Sequence, residues 1–420
     1  MIKDLSIPVF TGIIGYITNW SGIWMLFNPL EFKGFRFPGL QYLAKLAPRK
    51  VQQIPGVMHG GVGWQGIIPS RAAKMGSISV DKTIAKIGSA SDFYESLDPE
   101  ELSDHILEMS RDDIHDLVDK TMMEEDPQLW RDLPAQVREA VHDRVERSLP
   151  EIIREVVVDR IGGNIDHLLD VKLMVIKHLE RRPELSNRMF REVGERELKF
   201  IINFGFFFGF ACGIPVIFIV HAFPHWWVLP VLGTIIGYGT NWLAISMIFE
   251  PNEPRNVLGL KWQGLFLKRR DHAAEVYASV VADEIVTVAN IGDELINGPS
   301  GDRTRRLIED ALRPAVDRAG GQLTPFVRVA LGTKEYDRIR EDFATGGADY
   351  TMTPLQDEAF NEAQAKKLRE LMVDRMKELT NPDFAEMLRA GMREDEWLLI
   401  LHGGVLGFVA GVLHLGIFGV

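Results

Sequence analysis

A single cysteine in 420 residues, Cys212, excludes any disulfide within the chain and points to no particular redox compartment. A basic surplus is missing too. The 47 Lys and Arg are outnumbered by 59 Asp and Glu, for a net charge of −12. That balance argues against general nucleic-acid affinity, since duplex binding usually needs a concentrated basic face. No HExxH or CxxC spacing occurs, and no GxSxG elbow, so zinc chemistry and elbow-type hydrolysis have no foothold. Catalytic residues, bound metals and cofactors are therefore not expected. "GVGWQG" at 61–66 satisfies GxGxxG only formally, with neither a preceding strand nor an acidic ribose partner about twenty residues on. His105 and His115 stand among carboxylates and read as a solvated face.

Charge is nearly absent from four stretches: Leu5–Phe27, Phe200–Val220, Val228–Phe249 and Leu398–Val420. Each is about twenty residues or a little more, enough for a helix to cross a ~30 Å hydrocarbon core. The segments between them are rich in Glu, Asp, Arg and Lys. The expected fold is an all-α integral membrane protein with four spans and two elongated helical extramembrane domains. Its expected divisions are 1–28 (first span), 29–199 (first helical domain), 200–221 (second span), 228–249 (third span), 250–396 (second helical domain) and 397–420 (fourth span). The first span does not read as a signal peptide. "MIKD" is scarcely basic, no small-x-small site follows, and a near-copy of the span lies deep inside the chain.

That near-copy opens an internal repeat. Between 8–29 and 230–251 thirteen of 22 positions agree: Pro8, Val9, Ile13, Ile14, Gly15, Tyr16, Thr18, Asn19, Trp20, Ile23, Met25, Phe27 and Pro29. The offset is 222 there and falls to 198 further on, so the first copy carries about 24 extra, loop-like residues within roughly 35–62. At the second offset "GWQGIIPSR" (63–71) meets "KWQGLFLKR" (261–269), and "LMV" (173–175) meets "LMV" (371–373). Gly205, Gly209 and Gly213 likewise meet Gly403, Gly407 and Gly411. The sequence reads as two parallel span–domain–span repeats.

The extramembrane parts show helical periodicity. Val137, Val141 and Val145 fall four apart, and Ser148 with Glu151 around Pro150 looks like a capping box opening a new helix. Orientation follows from the cations. Lys33, Arg36, Lys45, Arg49 and Lys50 follow the first span, Arg181 to Lys199 precede the second, and Arg255 to Arg270 follow the third. The loop at 221–227 has none. The positive-inside rule then places both large domains in the cytoplasm of a multi-pass cell (inner) membrane protein, with both termini opposite.

Three sets of residues are candidates for function. Thr18-Asn19-Trp20 and Thr240-Asn241-Trp242 put polar groups inside spans, either as interhelical glue or as pore-lining groups, with Asn19 and Asn241 able to meet across a pseudo-twofold axis. Gly15 and Gly237, with the ladders Gly205/Gly209/Gly213 and Gly403/Gly407/Gly411, suit close helix packing. Trp64, Arg71 and Lys74, with Trp262, Lys268, Arg269 and Arg270, fit contact with lipid head groups. His402 and His414 lie in the last span, where plain packing and a polar lumen are both readings.

Gly15, Tyr16, Thr18, Asn19, Ile23, Met25, Leu26, Phe27 and Pro29, followed by Gly66, Ile67, Ile68, Pro69 and Arg71, resemble the domain of unknown function 445 family of bacterial membrane proteins. The family's Arg before the proline is Asn28 here and Glu250 in the second copy. Its Lys-Arg-Arg is Ser70-Arg71-Ala72 in copy one and is restored as Lys268-Arg269-Arg270 in copy two. The resemblance implies a membrane protein and supplies neither reaction nor substrate. The expected function is non-enzymatic: a lipid-engaging scaffold or lipid-transport component whose partners are membrane lipids. An oligomeric channel or transporter lined by the Thr-Asn pairs is the alternative, and homo-oligomers and a protein partner stay open.

Overall fold

The computed structural model describes residues 2–37, 46, 48–52, 54, 57, 60–81, 88–257, 260–321, 324, 328–329, 332–350, 353–389 and 392–418. These residues are mostly helical, with two short antiparallel hairpins. The chain divides into two compact units. The first joins Met1–Thr83, Ile176–Val280 and Val373–Val420; the second joins Ile84–Val175 and Val281–Met372. Each unit thus draws on both halves of the sequence, and the linear pieces 29–199 and 250–396 are shared out between them.

In the first unit, three helices are long and apolar enough to cross a membrane by length and composition: α2 (Pro183–Ala222), α3 (Val228–Phe249) and α4 (Glu396–Phe418). A further long helix, α1 (Ile2–Phe27), packs along α2 as α3 packs along α4. It is not among those three. Thr11, Thr18, Asn19, Ser21 and its glycines dilute its apolar character.

Helix α2 runs 40 residues without interruption, so the change in composition near residue 200 marks no structural break. Pro183 opens it where a missing N–H costs nothing. Its polar first half keeps helical register through (i, i+4) pairs, Arg188–Glu192 at 3.2 Å and Lys199–Glu195 at 2.6 Å.

A hairpin follows each of α1 and α3. Strands β1 (Lys33–Arg36) and β2 (Gly61–Trp64) pair with Lys33 opposite Trp64; β3 (Arg255–Val257) and β4 (Leu260–Trp262) pair with Arg255 opposite Trp262. The insertion expected within 35–62 enlarges the first hairpin's loop, and most of it lies outside the described residues. The peptide bonds Asn28–Pro29 and Glu250–Pro251 are cis.

The second unit is a helical body with an aliphatic core. Helix Ala135–Arg154 passes straight through Pro150, which corrects the expected capping box there. Ser148 Oγ donates back to the Val145 carbonyl at 2.8 Å instead of capping a new helix. Val145, Leu149, Ile152 and Ile153 stay buried on one face across the proline, so core packing overrides the break. A true capping box stands at Ser89 and Asp92, ahead of helix Ala90–Ser96. The two halves of the chain interlock in this unit as well. His105 stacks on Phe360 with ring centroids 3.9 Å apart, and Arg318 reaches Glu151 at 3.6 Å and Glu155 at 3.7 Å.

Candidate functional site

Helical geometry divides each Thr-Asn-Trp motif. Thr18 and Asn19 are buried while Trp20 is half exposed, and Thr240, Asn241 and Trp242 repeat the pattern. Asn19 Nδ2 donates to the Ile201 carbonyl of α2 at 2.6 Å. Asn241 Nδ2 donates to the Leu399 carbonyl of α4 at 2.6 Å. Neither amide meets the other. Each is spent on pairing its own helix with the glycine ladder beside it.

The ladders are what let it reach. A Cβ built on Gly15 would overlap the Gly205 carbonyl, and one on Gly237 would overlap that of Gly403. Gly209 lies against the Thr11 backbone, Gly213 against Pro8, Gly407 against Gly233 and Gly411 against Pro230. A Cβ on Gly205 or Gly403 would also sit 2.7 Å from the Asn19 or Asn241 amide nitrogen. Replacing Asn19 with leucine should therefore lower stability by only about 0.6–1.7 kcal/mol, the usual range for such intramembrane bonds. Thermal unfolding in lipid nanodiscs checks this.

The basic segments are largely engaged within the protein. Arg71 is buried and clasps Asp395 through two bonds, Nε to Oδ2 at 3.1 Å and Nη2 to Oδ1 at 3.2 Å. Its repeat counterpart Arg269 approaches Glu197 at 3.7 Å. Lys74 pairs with Glu394. Arg270 donates to the carbonyls of Met376 (2.9 Å), Lys377 (2.8 Å) and Leu379, closing the C-terminal end of helix Glu358–Glu378. Trp64 Nε1 donates to the Met25 carbonyl at 3.3 Å. Of the seven residues singled out for head groups, Trp262 and Lys268 remain exposed with no partner among the described residues.

Sequence reasoning missed these ion pairs, though a signal was there. Arg71 with Arg269, and Glu197 with Asp395, are charge-matched at the same 198-residue offset. The first copy's cation therefore pairs with the second copy's carboxylate, and the second copy's cation with the first's.

Two features of the site follow no motif. Along α1 and α4, Ser6 Oγ lies 3.3 Å from His414 Nε2, and Ser21 Oγ lies 3.5 Å from His402 Nε2. A small cavity of about 40 Å³ in the bundle is lined by Thr11, Thr18, Thr240 and His414 among apolar neighbours. The second feature belongs to the other unit, a cavity of about 110 Å³ walled by Leu102, Ile106, Leu149, Ile152, Ile291 and Leu295 and other aliphatic groups. Tyr94 at its wall donates its hydroxyl to the Val157 carbonyl at 3.0 Å, and burial pushes that phenol well up, so it stays a neutral donor.

The first unit is thus that of a helical membrane-type protein, with three membrane-length apolar helices and a fourth long helix packed on them. Known relatives agree with that class. A UPF0754 membrane protein of Bacillus mycoides (strain KBAB4) is 42% identical over 71 residues, 16% of this chain and 18% of that protein. UPF0754 membrane proteins of Bacillus thuringiensis (strain Al Hakam) and Bacillus cytotoxicus are 41% identical over 71 residues and 40% over 67. The chain spans 18% of the length of each of these relatives. No protein-family model matches the chain, and no solved structure matches it.

Proposed function

We propose that this is a four-span protein of the cell membrane, built of two parallel repeats, which engages lipid without enzymatic chemistry. Recurrent detail supports the repeat. Gln65 donates to the Leu30 carbonyl as Gln263 does to that of Asn252, and Arg191 covers the Phe27 ring as Arg389 covers Phe249. The positive-inside rule assigns both charged stretches, 29–199 and 250–396, to the cytoplasm and both termini to the far side. The resemblance to the domain of unknown function 445 family belongs to this reading, as does assembly into a homo-oligomer.

The aliphatic cavity of the second unit carries the lipid reading. Left empty, a cavity of about 110 Å³ would cost about 2.6 kcal/mol at about 24 cal/mol per Å³. An apolar, dry space of this kind favours an apolar guest, and the end of an acyl chain has the right chemistry. Arg71, Lys74 and Arg269 face carboxylates and Arg270 donates to backbone carbonyls, which shifts lipid contact away from them in this reading. The Asn19 and Asn241 amide nitrogens each donate between helices, so in this reading they act as packing groups.

Photoreactive palmitate fed to cells expressing the full chain should label peptides of the second unit, around Leu149–Ile161 or Val288–Leu312. Ile291→Phe, which fills the cavity, should abolish that label while leaving the melting temperature unchanged or raised. Label confined to α1–α4 in both proteins would overturn the proposal.

A further inference from the structure

Internal duplication gives this bundle a built-in control. The α1–α4 seam and the α2–α3 seam are repeat equivalents, and both are in contact. At the first, the residues in register are Ser6 with His414 and Ser21 with His402. Offsets of 222 and 198 carry Ser6, Ser21, His402 and His414 onto Val228, Leu243, Phe204 and Val216. Val216 and Val228 belong to one buried apolar cluster. At these four equivalent positions the twin contact carries only apolar side chains. Packing does not require the histidines, and intramembrane ionisable groups are costly unless they are used.

The seam's buried polar atoms also point to a mobile, protic guest. His402 Nδ1 and Thr18 Oγ1 have no hydrogen-bond partner among the described residues, although Thr18 is 1% exposed. A Cβ built on Gly22 would lie 3.9 Å from both His402 Nδ1 and Asn241 Nδ2, so α1 leaves space beside that ring. The cavity of about 40 Å³ reaches from Thr18 and Thr240 to Thr11 and His414, large enough for water. Among the described residues no Asp, Glu, Lys or Arg lines it. His414 meets Ser6, Phe10 and Phe418, and His402 faces Ser21 and the Asn241 side. The two imidazoles are twelve residues apart on α4, or about 18 Å along the helix.

We propose that the α1–α4 seam is a proton path across the membrane, with His402 and His414 as its relay groups and water filling the space between them. Each imidazole accepts a proton from water or a hydroxyl on one ring nitrogen and releases the proton held on the other. Only N–H and O–H bonds are exchanged, no electrons are gained or lost, and one proton leaves on one side for each that enters on the other. The path rests on the four-span reading and is independent of lipid engagement.

The test reconstitutes the full chain in liposomes enclosing a pH-sensitive dye, with a potassium gradient and valinomycin driving and balancing the charge. The wild-type protein should acidify the lumen far faster than protein-free vesicles. The double variant H402F/H414V, which installs the twin seam's own residues, should lower that flux by about a hundredfold while keeping the melting temperature. S6V/S21L, the matching exchange on α1, tests the seam independently should the first variant fold poorly, and should also lose flux. Wild-type flux equal to that of empty vesicles, or full flux in both variants, overturns the proposal. Protein that does not float with the vesicles would instead overturn the four-span reading, which separates the two failures.

Discussion

Asp395→Ala should destabilise the first unit by about 3–5 kcal/mol, because it strands the buried Arg71 guanidinium without its partner. The two side chains are 10% and 3% exposed, so water cannot replace the lost carboxylate. Arg71→Ala should cost a similar amount by stranding the carboxylate. The double variant Arg71→Met/Asp395→Leu should recover most of the loss, since a buried ion pair is often no better than an apolar pair of similar volume. Melting temperatures of the wild type, R71M, D395L and R71M/D395L in one detergent form the double-mutant cycle. Equal losses in the single and double variants would show that the pair itself, rather than the uncompensated charge, carries the stability. Glu197→Ala should cost less, because its 3.7 Å contact with Arg269 is longer and Arg269 is 31% exposed.

Gly237→Val should prevent the α3–α4 pair from forming, whereas Gly239→Val two residues on should be tolerated. A Cβ at 237 overlaps the Gly403 carbonyl, a backbone atom that no rotamer change can move. A Cβ at 239 meets nothing within 4 Å. Overpacking ordinarily costs about 1–3 kcal/mol, and a clash with backbone lies at or beyond the upper end. Separation of two helices would also break the Asn241 bond to Leu399, so the losses compound. Gel filtration and thermal unfolding of the two variants decide the matter. Indifference to G237V would mean that the glycine ladders do not hold the helices together.

Much of the architecture was legible because its signals are local. Long uncharged runs mark the apolar helices, and spacings of four mark glycine faces. The motif split was also readable, since Thr and Asn follow each other on a helix while Trp turns some 200° away from Thr at about 100° per residue. Other features depend on chain segments meeting across hundreds of residues. Arg71 and Lys74 looked free because Asp395 and Glu394 lie about 320 positions away. The second unit's cavity belongs to no single helix and arises only when 84–175 and 281–372 pack together. Pro150 misled because a helix break is its usual effect, while burial of Leu149 and Ile152 on one continuous face overrides it.

The crossed pairing of Arg71 with Asp395 and of Arg269 with Glu197 has a consequence for biosynthesis. A ribosome delivers Arg71 and Glu197 first, and neither finds its partner within the half already made. The two crossed contacts form only after Arg269 and then Asp395 have emerged. Assembly of this unit therefore waits for the segment that carries Asp395, just ahead of α4. In a dimer of one half, the same two contacts would be a single contact made twice, so the fused chain keeps, in tandem, the exchange by which two equal subunits would hold each other.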